Sequence, residues 1–157
     1  MSEILSIMKY LGIPYKHTGR TIEGLDCWGL IKIVYKDVRN VDLWDIGEEY
    51  PEDWSWKGKD LFMENYRKQW ERVKIPLALD VILLNNGAGI ANHAGVMLND
   101  KNFIHCTRAG VIISRITDRF WKSKLTGFFR YKKGKNNVSP HKILPGKVSK
   151  GLPRMGI

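Results

Sequence analysis

Cysteine is nearly absent from this 157-residue chain: only Cys27 and Cys106 occur, too few for a disulfide framework, so burial must hold the fold together. No run approaches the roughly 18 apolar residues that cross a bilayer, which excludes a membrane-spanning helix. No leader segment is expected either. Residues 1–12 have instead the spacing of a short amphipathic helix, with Ser2 as cap, Ile4, Ile7, Met8 and Leu11 on the apolar side and Gly12 as stop. The expectation is synthesis in the cytoplasm without a signal peptide. Acidic residues are scarce, 16 against 26 Lys and Arg, and none follows Tyr131. Residues 132–157 carry Lys132, Lys133, Lys135, Lys142, Lys147, Lys150 and Arg154 in a Pro- and Gly-punctuated stretch without periodicity, which reads as an extended basic arm. The arm lacks the interleaved aromatics of single-strand binders, so nucleic acid is not its expected partner.

What is present suffices for one domain over residues 1–131. The chain is 43% hydrophobic with six Trp and six Tyr, enough to bury a core without metal or disulfide. The most informative string is G-L-D-C-W-G-L, Gly24 to Leu30. Asp26 is a good N-cap, and Leu30, Ile31, Val34 and Val38 follow at helical spacing, so Cys27 falls in the first helical turn. Free N–H groups and the positive end of the helix dipole favour a thiolate there, and with it nucleophilic chemistry.

A second string, N-H-A-G-V-M-L-N-D-K-N-F-I-H-C-T, runs from Asn92 to Thr107. Its alternation predicts two strands joined by a polar turn. If the loop is the three residues Asn99 to Lys101, then Leu98 opposes Asn102, and Ala94, Val96, Leu98, Ile104 and Cys106 share an apolar face. The other face then carries His93, Gly95, Met97, Phe103, His105 and Thr107, with His105 opposite Gly95 and diagonal to His93, within reach of a hydrogen bond. A loop of even length without a bulge would part the two imidazoles. A zinc site built from Cys27, His93, His105 and Cys106 is disfavoured, because adjacent strand residues 105 and 106 point to opposite faces; no metal and no cofactor is expected.

Residues 39–73 form an aromatic-rich insertion with Trp44, Tyr50, Trp54, Trp56, Tyr66 and Trp70. Its second part, around Leu61, Phe62, Tyr66, Trp70 and Val73, has helical spacing. Strands are expected around 81–84, 93–98, 103–107, 111–116 and 128–131. Helices first and a mainly antiparallel sheet afterwards give an α+β fold.

A cysteine at a helix start and a sheet histidine oriented by a third polar group make the Cys-His-X arrangement of papain-like enzymes. With Tyr15 upstream, D-C-W-G-L, H-A-G-V and F-I-H followed by Gly110 and Val111, the chain from about Leu11 to Tyr131 resembles the NlpC-type cell-wall endopeptidases, in particular their bacteriophage tail and prophage branch. The resemblance implies Cys27 as nucleophile, His93 as base and His105 as the residue that orients it. It also implies that the Tyr15 hydroxyl lies beside the oxyanion, with Asp26 and Trp28 facing substrate. The implied substrate is a peptidoglycan stem peptide, cut after γ-D-glutamyl at the diamino-acid bond. The implied setting is a protein made in the bacterial cytoplasm and carried in a virion tail, with tail-tip proteins as partners of residues 132–157. Two departures stand out: Trp28 replaces the serine usual after the nucleophile, and Y-K-H-T-G replaces Y-x-x-G-G. Another thiol acyl transfer, or a mainly structural role as a tail plug, would use the same scaffold.

Overall fold

The computed structural model describes residues 2–45 and 69–132. Helix α1, Ser2–Ile7, runs into a 3-10 turn over Met8–Tyr10. Two short paired strands, β1 (Arg20–Thr21) and β2 (Gly24–Leu25), lead into α2, Cys27–Arg39. A six-stranded sheet follows: β3 (Trp70–Val73), β4 (Val81–Asn85), β5 (Ala91–Met97), β6 (Asn102–Thr107), β7 (Gly110–Arg115) and β8 (Leu125–Tyr131). A one-turn helix, α3 (Arg119–Lys122), precedes β8. The strand order is β3-β8-β4-β5-β6-β7, and every neighbouring pair is antiparallel. This is the expected α+β architecture, with both helical segments of the N-terminal half before the sheet.

The sheet buries two faces. On one, Val81, Leu83, Ala94, Val96, Leu98, Ile104, Cys106 and Val111 pack with Leu30, Ile31 and Val34 of α2 and Ile7 of α1 in the main core. On the other, Ile82, Leu84, Met97 and Phe103 form a smaller cluster closed by Ile116, Trp121, Leu125 and Phe128. Alternation along β5 and β6 is therefore apolar on both sides, interrupted by the two histidines.

Two sequence expectations change at this level. Leu11 is 41% exposed, and Tyr10 is buried in its place with its hydroxyl donating to Asp37 at 2.9 Å, because the chain tightens into a 3-10 turn and rotates the apolar stripe. Trp70 and Val73, spaced as on a helix, lie instead on strand β3, paired with Tyr131 and Phe128 of β8. Ring packing explains the override. Trp70 meets Tyr131 edge-on at 5.3 Å and Tyr35 of α2 at 5.6 Å, a cluster that only the extended backbone allows. The rest of the aromatic insertion, from residue 46 to 68, and the basic arm beyond Lys132 lie outside the described residues.

Edge strand β3 thus depends on one aromatic anchor. Trp70→Ala should lower unfolding free energy by about 3–5 kcal/mol in urea titration, while Trp70→Phe should recover most of it. An Ala variant as stable as the parent would show that β3 is incidental to the core.

Candidate active site

The cysteine is held where the sequence puts it, at the first residue of α2, and the reason is the Asp26 carboxylate. Its Oδ1 accepts from the Gly29 N–H at 2.7 Å and from Arg20 Nη1 at 2.7 Å, and its Oδ2 accepts from the Thr18 N–H at 3.2 Å. Arg20 in turn forks onto Asp45, Nε to Oδ2 at 2.9 Å and Nη2 to Oδ1 at 3.1 Å. A cap of this kind satisfies donors that the helix start leaves open. The preceding residue, Leu25, is fixed by Pro14, whose carbonyl accepts its N–H at 3.0 Å, and by Lys16, whose N–H donates to its carbonyl at 3.0 Å. Gly29 of D-C-W-G-L is needed for contact: a Cβ there would sit 2.0 Å from the Gly19 carbonyl oxygen.

The three-residue loop holds. Asn99 Oδ1 accepts from the N–H groups of Lys101 and Asn102, both at 2.8 Å, and the register pairs Gly95 with His105, Val96 with Ile104 and Met97 with Phe103. Consequently His93 Nε2 and His105 Nδ1 lie 2.7 Å apart, one hydrogen bond. Gly95 makes room, since a Cβ on it would meet the Ile104 carbonyl at 2.8 Å and His105 Cβ at 3.0 Å. On the far side, His105 Nε2 lies 2.8 Å from Ser114 Oγ on β7. Trp121 packs against both rings, stacked on His93 at 5.9 Å and edge-on to His105 at 4.8 Å. Ser114 and Trp121 are not among the sequence candidates. The signal for Ser114 is a single polar residue in the apolar alternation Ile112, Ser114, Ile116; nothing local ties Trp121 to the histidines.

The thiol reaches the same strand, because a backbone hydrogen bond from Ala94, next to His93, favours its charged form. That help does not win. Burial pushes the Cys27 thiol up to about 12, the Asp26 charge adding to it, while Ala94 and Arg20 pull the other way. Burial likewise takes His93 down to about 4 and His105 down to about 3, the latter aided by repulsion from His93. Contrary to the thiolate expected from the helix terminus alone, the resting thiol and both imidazoles are neutral. The reason is desolvation, which outweighs a dipole effect of about 1 kcal/mol.

The other sequence candidates divide. Tyr15 is half-buried, bridged in parallel to Leu25 two residues before Cys27, with the Arg108 guanidinium 4.7 Å above its ring. Asp26 is buried and engaged in the cap, so it shapes the site instead of facing substrate. Trp28 is turned inward, 8% exposed, with its indole N–H donating to the Trp44 carbonyl at 3.2 Å; its expected place at the substrate surface is corrected to a core position. Cys106 is buried on the opposite face from His105, its thiol donating to the Leu25 carbonyl at 3.0 Å.

A helix-borne cysteine beside a sheet-borne imidazole pair is the arrangement of the papain-like class. Residues 12–130 match the NlpC/P60 family, and the chain belongs to it. Among curated relatives, it is 32% identical over 127 residues to the gamma-DL-glutamyl hydrolase of Bacillus subtilis, covering 78% of this chain and 27% of that protein. It is 26% identical over 114 residues to the murein DD-endopeptidase MepS/murein LD-carboxypeptidase of Escherichia coli, covering 72% of this chain and 53% of that one. The chain therefore spans about a quarter and about half of these two relatives. An NLP/P60 family protein of Staphylococcus aureus has the same fold, with a TM-score of 0.61 at 22% identity over 85% of this chain and 42% of that one. The NlpC/p60 domain of peptidoglycan hydrolase SagA is covered over 95% of its length, and over 82% of this chain, with a TM-score of 0.54 at 21% identity.

The depressed imidazoles make stability pH-dependent. Both histidines stay neutral in the fold below the ordinary imidazole value of 6.5, whereas the unfolded chain takes up protons there, so the unfolded state binds more protons and stability falls as pH drops from 6.5 toward about 4. Melting temperature measured across that window should decline more steeply in the parent than in a His93→Gln, His105→Gln double variant. Equal slopes would mean that the imidazoles are not desolvated in the fold.

Proposed function

We propose that this chain is a cysteine peptidase that hydrolyses amide bonds in peptidoglycan stem peptides. The supporting observation is the 2.7 Å hydrogen bond between His93, next to the Ala94 backbone that meets Cys27, and His105 on the neighbouring strand, since it engages His93 Nε2 and leaves Nδ1 as the nitrogen to serve the thiol in this reading. In this reading His93 takes the thiol proton as Sγ attacks the amide carbon, then gives it to the leaving amine as the C–N bond breaks. Water, deprotonated by the same imidazole, cleaves the thioester and releases the carboxylate. His105 orients His93 and stabilises its cationic form. The backbone N–H of Cys27, open at the helix start, and the Tyr15 hydroxyl hold the oxyanion.

The bond between γ-D-glutamyl and the diamino acid is the proposed point of cleavage, and the identity to a gamma-DL-glutamyl hydrolase supports it. The proposed setting is a bacteriophage tail, made in the bacterial cytoplasm, with residues 132–157 docking on acidic tail-tip proteins. Seven cations without one acidic residue in that arm support the second part.

Purified wall fragments, digested and resolved by mass, test the reaction. Cys27→Ala should abolish cleavage and alkylation at residue 27, Cys106→Ser should leave both nearly intact, and His93→Ala should cost about 10²–10⁴ in rate while His17→Ala costs little. Full activity of Cys27→Ala would end the proposal. Removing residues 133–157, which keeps the Lys132 N–H bonded to the Gln69 carbonyl at 2.7 Å, should leave hydrolysis of soluble fragments unchanged and lower co-purification with tail proteins in a salt-dependent way. Undiminished association would remove the docking role.

A further inference from the structure

We propose that Arg108, with the Tyr15 ring beneath it, forms a subsite for the free α-carboxylate of a γ-linked glutamyl residue on the acyl side of the scissile bond. This rests on the reading of Cys27 as nucleophile and of the Tyr15 hydroxyl as an oxyanion donor. The strand that carries His105 runs on into the turn over residues 107–110, which is fixed from both sides. Within it, Thr107 Oγ1 accepts from the Ala109 N–H at 3.1 Å and donates to the Gly110 carbonyl at 3.2 Å. From outside, the Val111 N–H donates to the Ile13 carbonyl at 2.9 Å and the Gly12 N–H to the Val111 carbonyl at 3.0 Å, which binds the turn to the segment that delivers Tyr15. Cys106 adds a third tether, its thiol donating to the Leu25 carbonyl at 3.0 Å. Tyr15 is itself bridged to Leu25, two residues before Cys27. Arg108, exposed on this turn, therefore holds its guanidinium 4.7 Å above the Tyr15 ring at the start of α2.

A guanidinium carries five N–H donors in one plane, a fork that matches both oxygens of a carboxylate, and it stays charged at any working pH. Held in advance over a ring, it costs less to order when a ligand arrives. The carboxylates that lead into α2 are committed elsewhere, Asp26 to Arg20 at 2.7 Å and Asp45 to Arg20 at 2.9 Å. The span fits a glutamyl substrate. In a γ-glutamyl amide, four carbon–carbon bonds separate the scissile carbonyl carbon from the carbon of the free α-carboxylate, a reach of about 5 Å. The Tyr15 hydroxyl is one bond beyond the ring over which the cation stands, so an oxyanion at that hydroxyl leaves the substrate's own carboxylate within reach of Arg108. A carboxamide at the same place brings no charge and only one acceptor oxygen, so the subsite separates the acid from the amide.

Two synthetic stem peptides isolate the contact, one with the free α-carboxylate on its γ-glutamyl residue and one with the carboxamide there. For the parent, kcat/KM should be about ten- to a hundredfold higher on the acid, the scale of a hydrogen bond to a charged group. Arg108→Gln should erase that preference, so that the two peptides become equal substrates, and Arg108→Lys should keep part of it, as a charge without the fork. The turn is held by Thr107 and by backbone bonds, so both variants should fold as the parent does. Equal cleavage of the two peptides by the parent, or a preference that survives in Arg108→Gln, would overturn the subsite. Calorimetric binding of both peptides to the full chain carrying Cys27→Ala needs no turnover, and the acid should bind more tightly there unless Arg108→Gln is also present. A parent that cleaves neither peptide, with that binding preference intact, would refute the peptidase reading and leave the subsite standing; loss of the binding preference would refute the subsite itself.

Discussion

The arrangement depends first on one buried carboxylate. Asp26 accepts from the amide of Gly29, the amide of Thr18 and the guanidinium of Arg20, and it thereby ties the start of α2 to the turn before β1 and, through Arg20, to Asp45. A carboxylate removed from water is costly unless each lone pair is used, and here the partners are short and charge-assisted. Its value is geometric: Cys27 follows directly, so its backbone has the freedom of neither a loop nor a frayed helix end. The glycines on this path, 19, 24 and 29, let the hairpin and the helix approach closely enough for the cap to close.

A second constraint is parity. Because side chains change face at each residue, an odd three-residue loop is what puts His93 and His105 on one surface and Cys106 on the other. His105 is fully buried and His93 half-buried, and this removal from water lowers the basicity of both while Trp121 packs across them. The sheet thus serves as a partition: one side is a core for the helices, the other carries the hydrogen-bonded line of His93, His105 and Ser114.

The legible parts of the sequence were local or periodic. The cap and first turn of α2 follow from Asp26 and the apolar spacing after it, and the hairpin register follows from the polar loop, both settled within a few residues of chain. The parts that were not legible depend on distant partners. Strand β3 exists because β8 is there to pair with it, although the two lie far apart in sequence, and Trp70 finds Tyr35 and Tyr131 only in the folded state. Trp28 points inward because the Trp44 carbonyl receives its N–H, a contact no pattern at Cys27 encodes. The thiol's protonation state departs from the helix-terminus expectation for the same reason, since the helix start is visible in the chain while desolvation belongs to the tertiary structure.

That protonation state bears on how such a site can be both stable and reactive. A preformed thiolate–imidazolium pair would place two charges on half-buried side chains, and the fold would have to offset their desolvation at rest. A neutral pair avoids this. Charge then appears only as sulfur attacks, when the proton moves to His93 and negative charge passes to the carbonyl oxygen, so the groups that stabilise charge act on the transition state more than on the resting enzyme. The hydrogen-bonded line from His93 through His105 to Ser114 suits that timing, because it holds donors and acceptors in place before any charge develops.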